Sequence, residues 1–145
     1  MVIVEKAFAY VTNGGRLLVF THADFPDAGI QVPAGTICHG ESSRSAVLRE
    51  VHEETGLSMF TTVTFLGMAD FDARPHGKDE MHRRHFFHLP YTGRVPDNWR
   101  HYECHASDVA PQPIAFDFYW VPLVDAAASL SFGHGALTGT LQNRI

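Results

Sequence analysis

Gly35-Thr-Ile-Cys-His-Gly-Glu41-Ser-Ser-Arg-Ser-Ala-Val-Leu-Arg49-Glu50-Val51-His-Glu53-Glu54-Thr-Gly56-Leu57 sets three carboxylates at i, i+3 and i+4 between two glycines. On a helix turning about 100° per residue, residues 50, 53 and 54 stand at about 0°, −60° and +40°, so the three acids share one face. Unpaired, they repel one another, raise each other's proton affinity and weaken the helix, a conflict that a cation among them removes. Every ligand on offer is an oxygen, which suits a hard divalent cation. Leu48, Val51 and Thr55 fan out on a separate face that docks on a sheet. Ala46 falls within the acidic fan, and its small side chain leaves room for a metal or phosphate. Ser42 or Ser43 supplies an N-cap, and Gly56 takes the left-handed conformation that stops the helix. A merely solvated helix would place Lys or Arg four residues after its glutamates, whereas Glu50 is followed at that spacing by Glu54.

The stretch resembles the box of the Nudix family: Gly, five residues, Glu, seven residues, then Arg-Glu-apolar-x-Glu-Glu-x-Gly-apolar, with each fixed position matched. The resemblance covers residues 35–57 directly and implies an α/β fold, an α/β/α sandwich with a mixed β-sheet and the box helix under its cleft. It implies hydrolysis of a nucleoside diphosphate linked to another group by water attack on phosphorus, with Mg²⁺ or Mn²⁺ as cofactor and a small nucleotide or nucleotide derivative as substrate. Carried onto this chain, Glu50, Glu53 and Glu54 form the ligand set, and Glu50 is also the in-box candidate for a base. Three coupled carboxylates titrate as a set, so base and ligand are not separated here. Arg49 is expected to orient the glutamates, with Glu41 paired to it. The backbone carbonyl of Ala34 is a further expected ligand, with Gly35 permitting the close turn that presents it.

Some relatives recruit an acid from outside the box, and Asp79, Glu80 and Glu103 are the candidates. Arg16, Arg83 and Arg84 are candidates to grip phosphates, with Glu80 beside them as a possible substrate contact. The alternative is a nucleotide-binding or sensing module without turnover; such members commonly lose box glutamates, and this chain keeps all of them. The subclass markers are silent. Pro75 lies farther from the box than the proline of ADP-ribose hydrolases, residues 58–80 hold no tyrosine, and neither the NADH-group nor the coenzyme A motif is present. A broad nucleotide pyrophosphatase is therefore the expected class. Many relatives pair as homodimers, and the aromatic-rich strands here would supply an interface.

Composition sets the remaining bounds. A chain of 145 residues that is 45% hydrophobic makes one ordinary domain, residues 1–145, with a core of its own. A net charge of −5 argues against a surface for non-specific nucleic-acid binding. No apolar run reaches membrane-spanning length and the start lacks a signal peptide's pattern, so a cytoplasmic protein is expected. Cys38 and Cys104 are expected as free thiols.

Outward from the box, Val4 to Thr12 and Arg16 to Thr21 read as a hairpin through Asn13-Gly14-Gly15. Short strands are expected at Ile30 to Pro33, Val63 to Phe71, Met81 to Leu89 and Ile114 to Val121, with Pro90 to Pro113 irregular. A closing helix is expected between Val124 and Asn143, broken at Gly133 to Gly135. On the Met81 to Leu89 strand, His82 and His88 share a face and His85 takes the other, so the three make no metal triad. Phe25, Phe71, Trp99 and Tyr102 are candidates to stack on a base, although rings at this density are mostly core, as expected for Phe118 and Trp120.

Overall fold

A computed structural model describes residues 1–103 and 113–145, and Cys104 lies outside the described residues. Strand β1 (Val2–Asn13) turns through Gly14 and Gly15 into β2 (Arg16–His22), and both glycines have positive φ, as a two-residue primed hairpin turn requires. β3 (Ala34–Thr36), helix α1 (Ser43–Thr55), β4 (Thr64–Asp72), β5 (Glu80–Pro90), β6 (Asn98–Glu103) and β7 (Ile114–Pro122) follow, and the short helices α2 (Ala126–Ser129) and α3 (Thr138–Gln142) close the chain. The sheet runs β4-β5-β1-β2-β7-β6 with β3 also on β1. Only the β1–β5 pair is parallel among the described ladders, which makes the sheet mixed.

Strand alternation divides the core in two. Ala7, Ala9, Val11, Leu18, Phe20, Phe87 and Leu89 face Ala46, Val47 and Val51 of α1. Phe8, Tyr10, Leu17, Val19 and Phe86 face Val32, Leu123, Ala126 and Leu141 on the other side. Each fully buried Val or Leu in these layers contributes roughly 1.5–3 kcal/mol, which is what clamps α1 to the sheet. Among the described residues no helix is long and apolar enough to cross a membrane.

Three expectations are corrected. The segment Ile30 to Pro33 makes only an isolated bridge, Gln31 to Phe20, and the strand begins after Pro33, a residue with no amide proton to offer a ladder. Pro90 to Pro113 is not wholly irregular, because Asn98–Glu103 pairs antiparallel with β7. Its residues alternate exposed and half-buried, the mark of an edge strand. The closing helix does break at Gly133 to Gly135, but the gap is wider than expected and leaves two short helices, since Leu130 is already extended and Phe132 and Gly133 both take positive φ.

Candidate active site

Helix α1 is cut to length by its own ends. The Ser42 hydroxyl accepts the Ser45 amide proton at 3.1 Å, and Gly56, at φ 79°, donates its amide to the His52 carbonyl at 3.0 Å. Within that length Arg49 organises the acids. Its Nε and Nη2 donate to the two Glu41 oxygens at 2.8 and 2.9 Å, while Nη1 donates to Glu50 at 2.7 Å and Glu53 at 3.3 Å. Nη2 also reaches the Thr36 carbonyl at 3.1 Å, which ties the fork to β3. The Arg49 guanidinium holds the Glu41 carboxyl down to about 2.

β3 presents its edge to these acids. In the β1–β3 ladder the hydrogen bonds link Ala9 to Pro33 and Ile37 to Glu5, so Ala34 and Thr36 sit at positions whose amide and carbonyl both turn away from β1. The Ala34 amide donates to Glu54 Oε1 at 3.0 Å and the Thr36 carbonyl accepts from Arg49, leaving the Ala34 carbonyl on the same outward edge. Gly35 lies between them without positive φ. A methyl group there would fall inside the Glu50 carboxylate, so the position is glycine for space rather than for the turn the sequence suggested.

Of the acids outside the box, Glu103 joins the cluster: oxygens of Glu50, Glu53 and Glu103 lie within 4.8 Å of one another. Strand β6 delivers it. Trp99 donates its ring N–H to the Thr55 carbonyl at 3.1 Å and His101 Nε2 lies 3.0 Å from the Glu53 carbonyl, so alternate residues 99, 101 and 103 run along the last turn of α1. Asp79 instead meets the N-terminus at 3.8 Å, and Glu80 accepts from His82 at 2.7 Å. The converging set of oxygens, bridged by one arginine, has the chemistry to hold a hard divalent cation.

Glu50 and Glu54 are buried, and desolvation pushes both carboxyls up, Glu54 well above the usual range and Glu50 against the opposing pull of Arg49. Between the ordinary carboxylate pKa and its own raised one, Glu54 holds a proton in the folded chain that the unfolded chain has released. Stability in chelator therefore falls as pH rises upward from about 4.5. Glu54→Gln is expected to remove that slope and to raise the melting temperature in chelator at neutral pH by ~3 °C, the response to about 1 kcal/mol at this size. The gain in melting temperature on adding Mg²⁺ is expected to shrink. An unchanged pH slope would mean that Glu54 is not held protonated by burial.

The basic candidates divide. Arg16 sits at the far hairpin, beside Asn13, Asp97 and the Trp120 ring, and Arg83 pairs with Glu5 and Asp70. Neither comes to the acid cluster. Arg84 is 4% exposed and lines a cavity of about 500 Å³ on the sheet face opposite α1. Ala34 and Gly35 line that cavity too, so β3 is a wall shared by the cavity and the acids. His82, His85 and His88 are taken by Glu80, Glu5 and Thr12 respectively. Phe71 stacks on His76 and lines the cavity, Trp99 stacks on Phe118, and Phe25 and Tyr102 are exposed. His134 and Lys6 also line the cavity, and the sequence reading missed both. For Lys6 the signal was a cation between Glu5 and the apolar run Ala7 to Val11; for His134 it was the Phe132-Gly-His-Gly turn. Cys38 is a free, exposed thiol 3.5 Å from Arg49 Nη2.

A family model, the NUDIX domain, matches residues 4–138. No curated protein matches the chain. Among solved structures the chain is similar to the MutT protein from Methanosarcina mazei Go1, with 16% identity and a TM-score of 0.70 over 99% of this chain and 96% of that one. It is similar to the E. coli dihydroneopterin triphosphate pyrophosphohydrolase, with 18% identity and a TM-score of 0.70 over 100% of each chain. It is also similar to the NUDIX domain of Shewanella oneidensis NrtR complexed with ADP ribose, with 17% identity and a TM-score of 0.69 over 99% of this chain and 89% of that one. At these identities the likeness is one of fold.

Proposed function

The chain belongs to the NUDIX domain family, a family of pyrophosphohydrolases, and from that premise we propose that it hydrolyses a diphosphate linkage in a small nucleotide or nucleotide derivative, with water attacking phosphorus. The observation that carries the reading is the convergence of Glu50, Glu53 and Glu103 within 4.8 Å, with Arg49 bridging Glu41, Glu50 and Glu53. Glu50, Glu53, the second oxygen of Glu54 and the Ala34 carbonyl would hold Mg²⁺ or Mn²⁺. Such an ion neutralises phosphate charge and lowers the pKa of a bound water.

The chain's own residues supply the rest. Arg49 is a positioning residue: with Glu41 anchoring one side of its fork, the other side fixes two carboxylates that would otherwise swing apart under mutual repulsion. Glu54 fixes the β3 edge through the Ala34 amide, and so aims the neighbouring carbonyl. Glu103 and Glu50 share the task of taking a proton from water, as members of one coupled set. Lys6, on β1 beside β3, offers a positive charge toward a phosphate on the cavity side.

The test is turnover with Mg²⁺ or Mn²⁺ against nucleoside triphosphates, nucleotide sugars, ADP-ribose and dinucleoside polyphosphates, with products separated by chromatography. Metal-dependent release of a nucleoside monophosphate is expected. Absence of turnover across the panel, with a nucleotide still raising the melting temperature, would replace the hydrolase with a binding module on the same fold.

A further inference from the structure

The cavity beside β3 has a one-sided hydrogen-bonding character. Among the described residues no carboxylate lines it, while three cationic side chains, Lys6, Lys78 and Arg84, do. Arg84 lies deepest. Its guanidinium carbon is 3.9 Å from the Phe71 ring centre and 4.6 Å from that of Phe8, Nη1 donates to the Phe132 carbonyl at 2.6 Å, and Nη2 donates to His82 Nδ1 at 3.4 Å. The His82 tautomer follows from its other nitrogen, which donates to Glu80. Among the described residues Arg84 Nε has no hydrogen-bond partner although it is buried. A buried guanidinium without a carboxylate is costly, and burial lowers it to about 10. Each Nη nitrogen keeps one proton beyond those given to Phe132 and His82, and a group bringing acceptors into the cavity would offset that cost there.

His134 adds a second fixed donor. Its Nδ1 accepts the Val32 amide proton at 3.0 Å, and burial pushes its pKa down to about 3, so near neutral pH the ring is uncharged with its proton on Nε2. Gln31 spends its Nε2 on the Ala28 carbonyl, which leaves Oε1 as its remaining acceptor. The wall is built with strain: Phe132 holds φ 53°, and a methyl group on the next residue, Gly133, would come within 2.9 Å of Phe71 and 3.1 Å of Arg84. The turn is therefore pressed against Arg84 and holds it in place. A cavity of about 500 Å³ suits one heterocycle with its sugar.

We propose that this cavity takes the head group of the substrate by its hydrogen-bond acceptors and so selects oxo heterocycles over their amino counterparts. The inference rests on the hydrolase reading for the location of the phosphates, since β3 joins cavity and acids. A ring carbonyl answers donors such as Arg84 and His134, and the ring N–H that accompanies it answers Gln31 Oε1. An exocyclic amine in the same place sets donor against donor and leaves the remaining Arg84 Nη protons without an acceptor.

Matched pairs test this: inosine against adenosine 5′-triphosphate, and uridine against cytidine 5′-triphosphate, each pair differing by oxo and amino at one ring position. Hydrolysis with Mg²⁺ is expected to favour the oxo member by about tenfold or more in kcat/KM. Arg84→Met is expected to bring the ratio under about threefold, and Gln31→Leu, at a half-buried position where it removes the acceptor for the ring N–H, serves if Arg84→Met does not fold. The rise in melting temperature on binding is compared for the same pairs. Equal turnover and equal binding within each pair would overturn the selection while leaving the hydrolase standing. An oxo preference in binding without any turnover would keep the selection and sink the hydrolase. Neither turnover nor binding would sink both.

Discussion

Glu53→Gln is expected to lower metal-dependent turnover by roughly 10³-fold while leaving the fold intact, because a metal ligand is worth several kcal/mol of transition-state charge stabilisation and each 1.36 kcal/mol is a factor of ten. Glu53 is the box acid best placed for a clean result. Its side chain is partly exposed, and its one side-chain bond to Arg49, at 3.3 Å, is the weakest of that fork. Gln keeps the shape, removes one charge from a site where three carboxylates crowd within 4.8 Å, and disturbs no core contact. In chelator its melting temperature should stay within about 2 °C of the parent, the range of a surface substitution. The Mg²⁺-induced rise in melting temperature should fall with the activity, since both report the same ligand. Activity within tenfold of the parent would remove Glu53 from the ligand set and leave Glu50, Glu54 and Glu103 to account for the metal.

What was legible in the sequence was what is local. The helix period that aligns residues 50, 53 and 54, the Ser42 cap and the Gly56 stop all lie within one stretch of chain, and each follows from dihedral preference or from spacing. The hairpin at Gly14 and Gly15 was legible for the same reason. Edge strand β6 was not, because Arg100, His101 and Glu103 make it read as a polar loop. Its identity comes from the partner strand, through Trp99 opposite Phe118 and Arg100 opposite Asp117. Glu103 could be named as a candidate, but its arrival beside Glu50 depends on that pairing. Arg84 and His134 are 50 residues apart, and the cavity between them exists only because β5 and the turn at Phe132 meet across the sheet. Long-range packing of this kind leaves no periodic trace.

Gly35→Ala carries the other large effect, and its cause separates space from backbone freedom. The residue has no positive φ, so alanine costs little in backbone conformation. Its methyl group, however, would occupy the place of the Glu50 carboxylate, which is buried and bonded to Arg49 at 2.7 Å. Glu50 must swing out, taking Arg49 from its fork. Turnover is expected to fall roughly 100-fold, the usual consequence of losing the group that positions a ligand. The melting temperature should fall by ~3–8 °C, as overpacking of about 1–3 kcal/mol implies. Gly14→Ala is the control: its φ is 59° and a methyl group there would meet nothing within 4 Å, so it should cost stability and spare activity. The decisive comparison is the pair Gly35→Ala with Glu50→Gln. If the glycine matters because it makes room for that carboxylate, the two losses of activity overlap and the double variant is about as slow as the worse single one. Losses that multiply would show instead that Gly35 acts on turnover by a route that does not pass through Glu50, and the close approach of β3 to the acid cluster would lose its explanation.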